Sequence, residues 1–72
     1  MFELRESRQV IIDYTNHKGV RRERCIQPVR VLFATHAPYH PELQWLLNAY
    51  DVDKRDWRTF AISNIHSWKP LP

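Results

Sequence analysis

The sequence predicts an all-β domain: a small, closed or nearly closed barrel of five short strands, with a short helical turn near the C-terminus. Three observations lead there. β-Branched and aromatic residues gather in short runs, the composition of strands. Turn-forming residues separate those runs, and Gly19, the sole glycine, sits at one of the junctions. The chain has 72 residues, 43% hydrophobic and 26% charged, which bounds it to one ordinary globular domain. A chain of this size buries only about 60% of the surface its unfolded form exposes, so self-association is one way for it to gain buried area.

The first strand runs from Gln9 through Val10, Ile11 and Ile12 to Tyr14. Asn16, Lys18 and Gly19 supply the backbone angles of a hairpin turn. The second strand follows from Val20 to Gln27. Pro28 cannot donate a ladder hydrogen bond and marks a strand start, edge or kink. Val29 to Ala34 form the third strand, with Val29, Val31 and Phe33 on one face and Arg30 pointing away. The stretch from Thr35 to Glu42 holds Pro38 and Pro41 and reads as a long loop. Gln44 to Tyr50 is the most apolar run and reads as a buried fourth strand. A polar turn from Asp51 to Asp56 precedes the fifth, Trp57 to Ile62. Ser63 is placed to cap a helical turn with Asn64 and Ile65. Residues 66–72 read as a tail whose Trp68 packs back on the barrel, and residues 1–8 as an N-terminal extension. Trp45, Phe33 and Phe60 are expected in the core, since aromatics are the largest buriable side chains.

A lone cysteine, Cys25, rules out an intramolecular disulfide and fits a reducing compartment. No apolar run approaches the roughly 18 residues of a membrane span, and the first residues are too acidic for a signal peptide. The expected location is the cytoplasm, that of the host if the protein is viral. Net charge is +3, with Arg21, Arg22, Arg24 and Arg30 grouped against a single opposing Glu23. Arginine presents a planar fork to phosphate and stacks on aromatic rings, so the grouping points to an anionic partner.

The order of these motifs resembles the WYL domain. Ile12-Asp13-Tyr14 resembles that family's first strand, and Arg24-Cys25-Ile26-Gln27-Pro28 its arginine, apolar and proline pattern. Trp45-Leu46-Leu47 stands where the family has Trp-Tyr-Leu. The closing strand corresponds to the stretch from Arg55 to Ile65, with Asn64 where a basic residue is usual. The likeness covers residues 9–65. It implies an SH3-like or Sm-like barrel of the kind found as sensor domains in bacterial transcription regulators and in phage-defence systems. Such domains bind nucleotides, oligonucleotides or single-stranded nucleic acid through basic residues. Residues 1–8 are too few for a helix-turn-helix, so promoter reading by a recognition helix is not expected.

The candidate ligand site is Arg22, Arg24, Arg55 and Arg58 with the rings of Tyr14 and Trp57. Arg22 and Arg24 are two apart on a strand and share a face. Arg58 corresponds to the arginine on the closing strand of the resembled family. The competing reading is that Arg24 and Arg58 merely pair with Asp13, Asp51 or Asp56.

Other chemistries have weaker signals. His36 and His40 have a zinc-like spacing only on a helix, which Pro38 excludes. Asp51 and Asp53 lack the glycine and glutamate of a calcium loop, and one glycine cannot build a phosphate loop. Cys25 shows no paired base. No metal, cofactor or enzymatic activity is therefore expected. The leading function is a regulatory binder of a nucleotide or nucleic acid, acting as a regulator subunit or as a phage-encoded sequestering protein. The alternative is a protein-interaction or homo-oligomerisation module acting through the loop from Thr35 to Glu42.

Overall fold

The computed structural model describes residues 8–36 and 38–71 and the backbone of residues 2–3. It is all-β. Strand β1 (Phe2–Glu3) is followed by β2 (Val10–Thr15), β3 (Arg21–His36), β4 (His40–Asp51) and β5 (Asp56–Ala61). A 3-10 turn, Ile62–Asn64, leads into β6 (Ile65–Pro70). The antiparallel sheet has the order β5-β4-β3-β2-β6, with β1 paired to the free side of β3.

The five main strands and the late helical turn agree with the sequence reading; closure into a barrel does not. No ladder joins β5 to β6 among the described residues. The sheet nevertheless curls strongly. β2 and β5 are separated by two strands, which in a flat sheet would set them roughly 14 Å apart. Yet the rings of Tyr14 and Phe60 meet edge to face at 4.8 Å, and the Tyr14 hydroxyl accepts a hydrogen bond from the Ala61 amide at 3.2 Å. The chain leaves β5 directly into the 3-10 turn and crosses the open side to reach β6. Ile62 and Ile65 then pack on the core where a closing ladder would stand.

That core is the inner face of the curl: Val10, Ile12 and Tyr14 from β2, Ile26 from β3, Leu47 and Ala49 from β4, and Phe60 from β5. The alternation on β2 is complete, as the period-two pattern requires.

Several local expectations are corrected. β3 is one 16-residue strand rather than two. Pro28 is accommodated because the β3–β4 register shifts between Pro28 and Arg30, so Val29 is the extra residue of a bulge. The bulge reverses the alternation. Ile26 and Pro28 face inward before it, whereas Val31, opposite Leu47, faces inward after it. Arg30, opposite Asn48, is thereby turned to the outer face.

The expected long loop is mostly strand: His36 pairs with His40 and leaves a tight connection, of which Ala37 lies outside the described residues. The expected tail forms β6, paired along β2. Trp68 there is 43% exposed. Ser63 lies inside the 3-10 turn; Ala61 holds the cap position and no side chain caps it. Phe60 is buried as expected, but Phe33 and Trp45 are exposed. These two pair across β3 and β4 beyond the register where β2 ends, at Ile26, and where β5 ends, at Leu46. Among the described residues no strand pairs with β3 or β4 alongside them.

Candidate functional site

The arginines distribute among several depressions of the sheet. On β3, Arg22 stands opposite Tyr14 and Arg24 opposite Ile12. They therefore continue the inner face beyond the apolar core. On β5, Arg58 stands opposite Ala49, two residues before buried Phe60, so it too projects from the inner face.

Arg24 and Arg58 come together at a cleft of about 140 Å³, lined also by Asn16, His17, Tyr39, His40 and Thr59, with Tyr14 and Phe60 beneath. Among the described residues no carboxylate lines it. His17 and Tyr39 meet as a tilted ring pair with centroids 4.1 Å apart, presenting a half-exposed aromatic surface at the mouth. His40 is buried behind them. Its imidazole is held below its ordinary pKa chiefly by burial, with the nearby His36 and His17 adding to the effect and a hydrogen bond to the Thr59 backbone opposing it. It is neutral near pH 7 and leaves the positive charge of the cleft to the guanidinium groups.

Arg24 is itself held. Its Nη1 lies 3.3 Å from Oδ2 of Asp51, a carboxylate 1% exposed, which also accepts the Lys54 amide at 3.1 Å. The Arg24 Nε is buried with no hydrogen-bond partner. One edge of this guanidinium is thus fixed while a buried donor stays unused, an arrangement that costs free energy unless something accepts from it. Arg58 has no carboxylate within ion-pair distance among the described residues, and Asp13 is taken by Arg21 in a two-pronged contact with distances of 2.8–3.2 Å. That contact lowers the Asp13 pKa, mainly through the hydrogen bond. The pairing alternative therefore holds for Arg24 and not for Arg58.

Arg22 is exposed and shares a second depression with Arg24 and Lys54, where Glu23, Asp51 and Asp53 balance the charge. Arg55 sits in the β4–β5 turn with φ of 54°, a conformation that glycine adopts at lower cost. Tyr14 is 4% exposed; its ring supports the cleft floor and offers no open stacking face. Trp57 is 63% exposed but belongs to the outer face, where it packs edge-on against Tyr50 at 5.4 Å. Adjacent residues on a strand point to opposite faces, so Trp57 and Arg58 could have been separated from the sequence alone. His17, Tyr39, His40 and Thr59 are absent from the site the sequence suggests, because the β3–β4 connection reads as an open loop and not as a hairpin folded beside the β2–β3 turn.

Cys25 is ill suited to nucleophilic chemistry. Burial, followed by the charges of Asp53 and Asp51, pushes its thiol pKa up, so it stays protonated at neutral pH. Among the described residues no three His, Cys, Asp or Glu side chains gather as a metal site, and no helix is long and apolar enough to cross a membrane.

A curled five-stranded sheet with an arginine-lined cleft at its open end defines a small binding module. The sequence matches the WYL domain over residues 4–70, essentially its whole length, and the chain belongs to that family. WYL domains are ligand-sensing regulatory modules and are generally non-catalytic. No curated protein and no solved structure matches the chain.

Proposed function

We propose that this WYL domain binds a nucleotide or a short single-stranded nucleic acid in the Arg24–Arg58 cleft, without catalysing a reaction on it. The observation that carries the reading is the lining of that cleft: two guanidinium groups, an exposed ring pair and, among the described residues, no carboxylate. The Arg58 and Arg24 guanidinium groups that line the cleft meet phosphate oxygens, and the His17–Tyr39 surface stacks a base, a contact worth about 1–3 kcal/mol. A cleft of 140 Å³ is small beside the roughly 300 Å³ of an enclosing ligand pocket. It therefore grips one nucleotide unit while the rest of a longer ligand lies along the sheet end, toward Arg22. The module then acts as a sensor or a sequestering protein in transcription regulation or phage defence.

The test is calorimetric titration with a short single-stranded oligonucleotide and with cyclic nucleotides over a salt series. Binding of a strand that neutralises two or three phosphates gives a slope of log K against log salt of roughly −1.4 to −2.1. Arg58→Ala weakens binding at every salt concentration and flattens the slope. An affinity that ignores both salt and Arg58 would instead favour a protein-interaction module acting through the exposed Tyr39, Leu43 and Trp45 of the β3–β4 hairpin.

A further inference from the structure

A depression of about 450 Å³ adjoins the inner cleft. It lies on the outer face and is lined by Arg30, His36, Asn48, Trp57, Arg58 and Thr59. We propose that it is a second binding site, for a planar ring bearing a phosphate: one nucleotide unit, held beside the inner cleft, with which it shares Arg58 and Thr59.

The Val29 bulge delivers Arg30 to this face. With its amide oxygen toward Arg30, Asn48 accepts from Nε at 3.0 Å and Nη2 at 3.3 Å, while its nitrogen donates to the Thr59 hydroxyl at 3.0 Å. Only that orientation satisfies donors and acceptors on both sides. The register explains why the three meet: Arg30 is opposite Asn48, and Asn48 is opposite Thr59. The result is an arginine aligned by a neutral amide. A carboxylate in that position would cancel the charge; the amide fixes the geometry and leaves the charge intact. Fixing the side chain in advance lowers the ordering cost of binding.

Trp57 completes the site. It is the large hydrophobic residue that, with Leu43, is most exposed among the described residues, at 63%, and Tyr50 braces it edge-on. An indole held in this way beside a charged guanidinium suits a ligand that combines a π face with an anion. No carboxylate lines the depression among the described side chains. The β1–β3 ladder does set Glu3 opposite Arg30, so Glu3→Gln is the control for a competing charge.

Titrating the full chain with adenosine monophosphate, adenosine and inorganic phosphate separately tests the proposal. The monophosphate is expected to bind at least about tenfold more tightly than either fragment, because ring and anion are both engaged. Trp57→Ala and Arg30→Gln are each expected to weaken a site that Arg22→Ala and His17→Ala, which lie outside it, leave filled, with the loss about tenfold. Glu3→Gln binds as well as wild type or better. Circular dichroism on each variant separates loss of the site from loss of the fold. Unchanged affinity in folded Trp57→Ala and Arg30→Gln overturns the proposal, as does monophosphate binding no tighter than that of phosphate alone. Loss of monophosphate binding in His17→Ala as large as in Trp57→Ala would place the ligand in the inner cleft and overturn the proposal too.

Discussion

Arg24 and Arg30 lie on one strand six residues apart, yet they occupy opposite faces and are treated in opposite ways. Arg24 faces inward and leans on Asp51, a carboxylate withdrawn from water. Arg30 faces outward and leans on the neutral Asn48. The bulge at Val29 is the whole cause of the geometric difference; without it the even-numbered residues of β3 would all face the core. The comparison teaches that a guanidinium can be aligned either by cancelling part of its charge or by leaving the charge whole. The first ties one edge of the guanidinium into the fold, and the second leaves its whole charge at the outer face.

The sharpest way to break the contrast is to remove each partner. Asp51→Ala leaves a largely buried guanidinium without its counter-charge and unties the Lys54 turn. It is expected to cost about 3 kcal/mol in urea unfolding, a large share of the stability of so short a chain. A loss below about 1 kcal/mol would make the inner pair no different from a surface contact.

A smaller effect is expected at the point where the curl closes. Tyr14→Phe keeps the ring against Phe60 but strands the buried Ala61 amide. The expected cost is about 1–2 kcal/mol, read from the same unfolding curves.

The pH dependence sharpens the inner side further. The folded-state pKa of His40 is depressed from its ordinary 6.5, so the unfolded chain takes up the proton first. The stability due to neutral His40 is therefore complete above about pH 6.5. It falls as pH drops below that value and on through the lower folded pKa. Thermal midpoints measured from pH 7.5 down to pH 5 should decline, and His40→Gln should flatten the decline.

The smallest effect belongs to the outer face. Trp57→Ala removes an exposed ring and is expected to shift stability by about 0.5 kcal/mol or less.

The strands themselves were legible wherever one face is apolar and the other polar, as on β2, where every second residue is buried. β6 was not, because Ile65–Pro70 lies at an edge and all but its first residue are exposed; without a buried face there is no alternation to read. Pro28 masked the continuity of β3, since a proline in mid-strand is compatible with a sheet only at a bulge, and a bulge is defined by the partner strand's register. The exposure of Phe33 and Trp45 could not be read either, because it depends on where the neighbouring strands stop. At the site, the two-residue spacing puts Arg22 and Arg24 on one face, as the β2–β3 register does, whereas Arg58 joins that face only through the β4–β5 register. Arg30 with Asn48 gave no signal, for their meeting exists only once the ladder is known.

The central claim is that the inner cleft holds an anion between Arg24 and Arg58. Amide chemical shifts recorded while a short single-stranded oligonucleotide is added test it residue by residue. The account predicts the largest changes at Tyr14, Asn16, His17, Arg24, Thr59 and Phe60, which surround the cleft, and their loss in Arg58→Ala. Changes confined to the exposed hairpin side chains Phe33, Leu43 and Trp45, with the cleft amides unmoved, would contradict it.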